Sequence, residues 1–289
     1  MNVTLLMVYF YVIQTYTLGS KIILGVFFAA LAYMILHYSF KMIEMVYVIK
    51  KRKPLYTHFY RKKRKLTTEQ EAILQKQYTF YNKLEPKEQV YFKHRVASFI
   101  IDKEFVSREG IVINDEVKVL ISATAVMLTF GFRDFYIGLI DKIFVYPDAF
   151  YSNSNDDYHK GEFNPKLKTL VLSWKHFLEG YEIENDNMNL GIHEFAHAIH
   201  LNSIKERDVS SAIFSDSFKE LRQLLAAKEN LRQDLIASKY FRDYAYTNQF
   251  EFLAVIIESF IETPEAFKSQ FPEVYHKTKQ MLNFDFAGY

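Results

Sequence analysis

The stretch LGIHEFAHAIHLN, residues 190–202, decides the fold of this chain. Phe195, Ala196 and Ile199 give it the apolar side of an amphipathic helix, which we predict over 187–203. On a helix, positions i and i+4 share one face, so His193 and His197 can both reach one tetrahedral zinc ion. Glu194 is then placed to take a proton from a zinc-activated water. The alternative is a partly buried helix whose two histidines only hydrogen-bond within the core.

A catalytic zinc site needs a third protein ligand. His200 lies on the same stripe, but about 10 Å from His193 along the helix axis, too far to share an ion with it. Glu251 opens the apolar segment FEFLAVIIESFI, where burying a lone carboxylate is costly unless it is paired or binds a metal. We therefore expect the missing ligand at Glu251. Glu258, two turns further along, either orients a ligand histidine or faces water.

Composition excludes several classes of protein. The 289 residues are 49% apolar, which excludes wholesale disorder, and the absence of cysteine excludes disulfides, thiol nucleophiles and cysteine-rich zinc sites. Residues 1–65 carry a net charge of +10 and residues 66–289 a net charge of −8. Because the larger part repels phosphate, we expect no nucleic-acid partner, and the basic end favours a membrane surface.

The N-terminal part is predicted to enter a membrane. Residues 22–40 hold nineteen apolar or weakly polar positions, enough to cross a hydrocarbon core of about 30 Å. Residues 3–18 form a weaker apolar stretch, either a second span joined through Gly19-Ser20-Lys21 or an interfacial segment. A cleaved signal peptide is disfavoured because the first twenty residues have no basic n-region and no convincing small-residue cleavage site. A buried core hairpin of a soluble protein is the remaining alternative.

Two basic runs, 50–53 and 61–65, follow the apolar segment and predict that the rest of the chain faces the cytoplasm. They are also suited to contact anionic lipid head groups, and a solvated linker is the alternative. We predict a membrane anchor of one or two helices over 1–49, a basic juxtamembrane linker over 50–65, and one domain over 66–289.

The domain is predicted to be mainly helical α+β. Thr68 and Glu71 form a capping box for a helix to about residue 84, and Pro86 opens a helix with an apolar side. The positions on that side are Val90, Phe92, Val96, Phe99 and Ile100. Further helices are predicted over 116–130, 212–237, 248–262 and 264–282, and strands over 143–146 and 169–174.

Several ordered motifs resemble one known family. They are RVASFIIDKEF at 95–105, VYPDAF at 145–150, GEF at 161–163 with VLSW at 171–174, HEFAHAIH at 193–200, and YAYTNQFEFLAVIIESFIETPEAF at 244–267. Over about residues 90–280 the chain resembles the Mlc titration factor A family of zinc-dependent peptidases. These are gluzincins with a catalytic core related to anthrax lethal factor. The resemblance implies a zincin-like metallopeptidase domain with a small β-sheet.

The resemblance also implies roles for particular residues. It makes Glu251 the third zinc ligand and Tyr244 the group that stabilises the oxyanion, with Tyr246 as the second choice and a packed core tyrosine as the alternative for either. It makes the strand that carries Val171, Leu172, Ser173 and Trp174 the cleft edge that pairs with an extended peptide. Two features depart from the family: His200 stands where aspartate is usual, and the family pattern has no membrane anchor.

From the sequence we expect a membrane-anchored zinc metallopeptidase that acts on a peptide or protein substrate. Zn²⁺ would be held by His193, His197 and Glu251, and Glu194 would be the general base. The sequence does not distinguish an aminopeptidase from an endopeptidase. The alternative is a regulatory zinc-fold protein that sequesters a cytoplasmic partner, such as a transcriptional regulator, with little peptidase activity. An intramembrane protease is disfavoured because HEFAH lies about 150 residues beyond the apolar segment.

Overall fold

The structure, a computed structural model, describes Met7 and residues 17–152, 156–182 and 188–289. The chain divides into two compact units, Met1–Lys51 and Arg52–Tyr289. The predicted domain limits at 49/50 and 65/66 stay predictions.

The first unit contains helix α1, Leu18–Lys51. It has a mean hydropathy of 2.0 over its most apolar eighteen residues, and among the described residues it is the one helix long and apolar enough to cross a membrane. The predicted span 22–40 lies within it. Gly19-Ser20-Lys21, the residues between the two apolar stretches, belong to the first turn of α1. Nearly all of the weaker stretch 3–18 lies outside the described residues.

The second unit is mainly helical, with one four-stranded sheet and one two-stranded hairpin. Its helices are α2 (Thr68–Gln77), α3 (Thr79–Lys83), α4 (Pro86–Asp102), α5 (Asp115–Leu128), α6 (Trp174–Glu182), α7 (Leu190–Lys205), α8 (Val209–Ala227), α9 (Glu229–Ala237), a 3₁₀ turn (Asp243–Tyr246), α10 (Gln249–Glu262), α11 (Pro264–Gln270) and α12 (Pro272–Leu282). Its strands are β1 (Glu104–Ser107), β2 (Lys142–Tyr146), β3 (Phe150–Ser152), β4 (Asp157–His159), β5 (Gly161–Asn164) and β6 (Thr169–Ser173). The predicted α+β class, mainly helical with a small sheet, is confirmed.

The strand order of the larger sheet is β1-β2-β6-β5. β1, β2 and β6 run parallel, and β5 pairs antiparallel with β6 at one end of the sheet. β3 and β4 form the separate antiparallel hairpin. Only β2 and β6 were predicted from the sequence, because the other strands have three or four residues and no clear alternation of apolar and polar side chains.

Four local predictions are wrong. The capping box of α2 is formed by Thr67 and Gln70, one residue before the predicted pair. The helix expected over 264–282 is two helices, because Phe271 precedes Pro272 and leaves the helical conformation, as residues before proline tend to do. The helix expected over 212–237 is interrupted at Lys228. Val90, assigned to the apolar side of α4, is 45% exposed.

Helix α7, which carries HEFAH, lies at the centre of the second unit. It packs against α5, α8 and α10 and against strand β5. Phe195, Ala196 and Ala198 are fully buried in the core. With the helix held on several sides, the two motif histidines have fixed positions at the edge of the core.

Candidate active site

The two histidines of HEFAH face the same direction from α7, as their spacing predicts. Asn189 caps the helix by accepting a hydrogen bond from the Ile192 amide at 3.0 Å. The His193 and His197 rings are 4.6 Å apart and nearly perpendicular, with their Nε2 atoms 3.1 Å apart. Both side chains are mostly buried, and His193 lines a cleft.

Glu251 reaches these nitrogens from the first turn of α10. Asn248 caps that helix, and its Oδ1 accepts hydrogen bonds from the Phe250 and Glu251 amides. Glu251 Oε2 lies 3.0 Å from His193 Nε2 and 3.5 Å from His197 Nε2. The residue expected from burial cost therefore meets both histidines.

The three ligand atoms fit a metal ion. They all lie within 4.8 Å of one another. Zinc–ligand bonds of about 2.0–2.2 Å in a tetrahedron separate the ligand atoms by about 3.3–3.6 Å, close to the separations found here. Glu251 Oε2 is buried, and it accepts no well-aligned hydrogen bond from any described residue. A cation at this point would satisfy that oxygen.

Electrostatic coupling within the site favours ionised groups when no metal is bound. Burial disfavours a charged His193, but the Glu251 and Glu258 carboxylates outweigh it and raise the pKa of His193 to about 9. Burial likewise disfavours an ionised Glu251, but His193 and His197 lower the pKa of Glu251 well below its usual range. Both shifts come from the short contacts of His193 with Glu251 and Glu258 and of His197 with Glu251.

Glu258 lies behind His193. Of the two roles considered for it, orienting a ligand histidine or facing water, its position supports the first. Its carboxylate is completely buried, and Oε1 accepts a hydrogen bond from His193 Nδ1 at 2.5 Å. This bond turns His193 Nε2 towards His197 and Glu251. Glu258 Oε1 also accepts a hydrogen bond from Arg242 Nη2 at 2.7 Å.

Arg242 was not anticipated from the sequence. Its guanidinium supplies the positive charge that a buried carboxylate requires, and it lies 5.8 Å from the Tyr244 ring. No local pattern predicts its pairing with Glu258, because Arg242 lies sixteen residues earlier and outside helix α10.

Glu194 stands beside the ligand cluster on α7 and is 8% exposed. Burial, opposed by the two neighbouring histidines, raises the pKa of the Glu194 carboxyl. Strand β5 comes very close to it: a Cβ atom on Gly161 would lie 2.7 Å from Glu194 Oε1 and 2.7 Å from Leu190 Cδ1. Only glycine fits at that position without moving these side chains.

Tyr244 and Tyr246 lie on the 3₁₀ turn before α10 but have different surroundings. The Tyr244 side chain is 50% exposed, and its ring lies 6.1 Å from the His193 ring, near the charge of Glu251. Burial and the Glu251 charge raise the pKa of Tyr244 to about 12, so its hydroxyl stays protonated. The Tyr246 hydroxyl instead donates to the Leu235 carbonyl at 2.7 Å. Tyr244 faces the site, and Tyr246 is packed.

His200 does not join the cluster. It is buried among Phe214, Phe218 and Phe250, with the closest ring centroid, that of Phe218, at 4.9 Å. Burial and the nearby His197 charge lower the pKa of His200 to about 4, so it is neutral. His200 is therefore not part of the group that could hold a metal, as its distance from His193 along the helix predicts.

The strand that carries Val171, Leu172 and Ser173 is not the edge of the sheet, and that expectation is wrong. β6 is paired with β2 on one side and with β5 on the other, and the Ser173 amide donates to the Lys160 carbonyl at 2.7 Å. Trp174 begins helix α6 and stacks on Phe177 at 5.4 Å. Among the described strands β5 ends this side of the sheet, and it is β5 that borders the site.

A cleft of about 600 Å³ opens over these groups. Its walls come from strands β4 and β5, helices α6 and α7, and the turn before α10. The residues that line it include His193, Glu194, Gly161, Arg242 and Tyr244. A space of this size beside a metal-ligand cluster is typical of an active site.

Comparison with known proteins agrees with this geometry. Residues 50–282 match the family described as glucose-regulated metallo-peptidase M90. The chain belongs to this family. An uncharacterized protein from Synechocystis sp. (strain ATCC 27184 / PCC 6803 / Kazusa) is 26% identical over 224 residues, which cover 71% of this chain and 80% of that protein.

Membership in the M90 family confirms the resemblance seen in the sequence motifs. The matched residues contain the whole ligand cluster, Glu194 and Tyr244, so the chain has a metallopeptidase-type fold with a group able to bind a metal. The match begins at residue 50, so helix α1 lies almost entirely outside the M90 region.

Proposed function

We propose that this protein is a membrane-anchored, zinc-dependent metallopeptidase whose catalytic unit faces the cytoplasm and hydrolyses peptide bonds. The observation that carries the proposal is the convergence of His193, His197 and Glu251 beside the buried Glu194 carboxylate, in a member of a metallopeptidase family.

His193, His197 and Glu251 would hold the ion. Two imidazoles and one carboxylate are the ligand set of many catalytic zinc sites, which leave a fourth position for water or substrate. When bound, Zn²⁺ supplies a Lewis acid that activates water and polarises the scissile carbonyl. Glu258, backed by Arg242, keeps the first of these imidazoles turned towards the ion.

Glu194 would act as the proton carrier. As an ionised carboxylate it takes a proton from the attacking water, and it then gives that proton to the leaving amine. Its raised pKa suits both steps, because a carboxyl that binds a proton more readily is the stronger base. Tyr244 would donate a hydrogen bond to the oxyanion that develops on the substrate carbonyl.

The substrate would bind as an extended strand along β5. Because β5 ends the sheet on this side, its outer backbone groups can pair with a peptide. Gly161 brings this strand next to Glu194, so a paired peptide would have its backbone close to the proton carrier.

Helix α1 would cross the membrane. Lys50 and Lys51 close its last turn, and five more cations follow at 61–65, which favours a cytoplasmic location for the second unit. Orientation can be tested with Val112→Cys, a 75% exposed position in a chain with no other cysteine. An impermeant maleimide should label it only after the cells are opened. Labelling in intact cells would contradict the cytoplasmic assignment.

The experiment that tests the proposal compares the full chain with Glu194→Gln and Glu251→Ala. Elemental analysis should find near one zinc per chain in the parent and in Glu194→Gln, and a clear loss in Glu251→Ala. Peptide hydrolysis should fall by about 100- to 10,000-fold in Glu194→Gln. Glu265→Gln, an exposed position, should change neither property.

Glu194→Gln also separates the peptidase from the partner-binding alternative, because partner binding should survive this substitution whereas peptide hydrolysis should not. Turnover that survives the loss of the Glu194 carboxylate would overturn the catalytic role. A folded parent that takes up no zinc even when it is supplied would overturn the zinc peptidase itself. We favour the peptidase because the chain retains every group that the reaction needs.

A further inference from the structure

Residues 52–60, immediately after helix α1 in sequence, are fixed to the catalytic unit. Arg52 forms ion pairs with Asp216 at 2.7 Å and Glu220 at 2.5 Å. Arg95, which is completely buried, donates from Nε to the Tyr60 hydroxyl at 2.6 Å and from Nη2 to the Thr57 carbonyl at 3.2 Å. The segment therefore has a defined surface.

That surface exposes large apolar side chains. Leu55 is 42% exposed, Tyr56 45% and Phe59 75%. The Tyr56 and Phe59 rings lie 6.1 Å apart, and the Arg133 guanidinium lies 5.2 Å from the Tyr56 ring. The neighbouring His58 and Tyr60 rings turn inward against Tyr91 and His94, so the outward position of Phe59 belongs to an ordered segment.

Five consecutive cations follow, Arg61-Lys62-Lys63-Arg64-Lys65. All five are exposed, and among the described residues no carboxylate lies within ion-pair distance of any of them. Residues 66–289 carry a net charge of −8, so this run is a local concentration of positive charge on an otherwise acidic unit. An anionic surface is its complement.

We propose that residues 55–65 are an interfacial contact of the catalytic unit for an anionic lipid bilayer. Leu55, Tyr56 and Phe59 enter the boundary between head groups and acyl chains, where aromatic side chains concentrate, and the five cations lie among anionic head groups. This surface, the interfacial patch, directly follows the apolar helix in sequence, which keeps it within reach of the bilayer. The inference rests on the proposed membrane anchoring.

The absence of cysteine makes the test direct. The full chain is reconstituted in lipid nanodiscs of phosphatidylcholine, with or without phosphatidylglycerol, and carries one spin label at Phe59→Cys, Phe27→Cys or Val112→Cys. Collision with oxygen and with a nickel chelate reports the depth of each label. Val112 is the matched control because it is 75% exposed, as Phe59 is, and lies outside the patch.

We expect the Phe59 label to be shielded from nickel and accessible to oxygen, more strongly on anionic discs, while the Val112 label stays in water. The triple variant Lys62→Gln/Lys63→Gln/Lys65→Gln should remove most of the anionic dependence. Its substitutions are all at exposed positions, so the fold should be kept.

The label at Phe27 separates this proposal from the anchoring on which it rests. A deep Phe27 label with an aqueous Phe59 label on both lipids would overturn the interfacial patch and leave anchoring intact. An aqueous Phe27 label would overturn anchoring, and an aqueous Phe59 label beside it would overturn the patch as well. Phe59 shielding that persists in detergent and rises with protein concentration would assign the patch to a second copy of the chain.

Discussion

Tyr244 and Tyr246 show how one residue type acquires two roles within three positions. The Tyr244 ring borders the cleft and lies 6.1 Å from the His193 ring, whereas the Tyr246 hydroxyl donates to a backbone carbonyl. A phenol that remains protonated to about pH 12 can donate to a developing oxyanion throughout the neutral range.

Tyr244→Phe should therefore lower kcat by about 100- to 1,000-fold and leave the zinc content unchanged. The matched control is Tyr246→Phe, which should keep turnover within tenfold and lower the free energy of unfolding by about 1 kcal/mol. Steady-state kinetics on one peptide, with zinc measured in the same samples, checks both. Equal kinetic losses in the two variants would contradict the assignment of Tyr244.

Gly161 gives a second prediction at the same scale. In Gly161→Ala the new Cβ would lie within 2.8 Å of Glu194 Oε1 and Cγ and of Leu190 Cδ1, so both side chains would have to move, while the backbone around them need not. Moving the proton carrier by about 1 Å should lower kcat by about 100-fold while the melting temperature changes little.

Gly138→Ala is the control for that variant, because its Cβ would meet nothing closer than 3.6 Å. Circular dichroism melts and peptide hydrolysis should be compared for both variants. A fully active Gly161→Ala enzyme would show that β5 does not constrain Glu194.

At this scale the sequence predicts what depends on local spacing. His193 and His197 follow from the period of the helix, and Glu251 follows from the cost of burying a carboxylate in an apolar segment. Gly161 and Arg242 do not follow, because each acts on a residue brought near it only by the tertiary fold. The motif match had included Gly161 without indicating why a side chain is excluded there.

Among the elements, α7 and α10 matter most, because the ligands project from these two packed helices. Glu258 on α10 fixes the imidazole on α7, and it is completely buried with its charge met by Arg242. A buried carboxylate of this kind raises the basicity of the ligand and sets its orientation.

Glu258→Gln should weaken zinc binding by about 10- to 100-fold, as measured by competition with a chromophoric chelator. Arg242→Gln should act in the same direction, since it leaves the Glu258 charge without its partner. Exposed Glu265→Gln should bind zinc as the parent does. Unchanged affinity in a folded Glu258→Gln chain would limit this carboxylate to a structural role.

The sheet is where prediction from the sequence fails most. β2 and β6 were recognised as strands, but β5 was not, because it has four residues that begin with glycine and end with asparagine. Strand order depends on pairing between distant segments, and the local pattern of β6 does not indicate whether one or both of its sides are paired. β6 was therefore taken for an edge strand, although β5 lies beyond it in the sheet.

At the scale of the whole molecule, residues 52–60 are packed onto the rest of the second unit. His58 lies between Tyr91 and Phe130, with both ring centroids at 4.7 Å. Burial and the Arg95 charge lower the pKa of His58 to about 3, so the folded chain keeps it neutral.

This pKa predicts sensitivity to acid. Between pH 6.5 and about 3 the unfolded chain binds a proton that the folded chain excludes, so stability is complete above pH 6.5 and is lost as the pH falls. His58→Phe keeps a ring in place and cannot protonate. It should therefore recover about 1–2 kcal/mol of unfolding free energy at pH 5 and none at pH 7.5.

The measurement is denaturant unfolding of the full chain at the two pH values in one detergent. Exposed His276→Phe is the control and should follow the parent. The His58→Phe variant should keep part of the acid sensitivity, because His200 is also neutral in the folded chain. Identical pH dependence in His58→Phe and the parent would contradict the prediction.

Charge and hydropathy alone predict the division into a basic, apolar N-terminal part, residues 1–65, and an acidic part, residues 66–289. What the sequence did not indicate is that residues 52–60 are docked onto the acidic part. That docking depends on Arg95, whose hydrogen bonds reach backbone carbonyls and a tyrosine hydroxyl far from it in sequence. Hydrogen bonds to backbone carbonyls that are distant in the chain produce no recognisable sequence pattern.

The placement of the ligands has a consequence for the lifetime of the protein. His197 and Glu251 are separated by more than fifty residues that include α8 and α9, and the chain has no cysteine with which to cross-link them. An ion bound to His197 on α7 and to Glu251 on α10 would close that long loop, much as a disulfide does. A cell short of zinc would then hold a looser chain, more open to its other proteases, so metal supply would set how much of this protein exists as well as how fast it works.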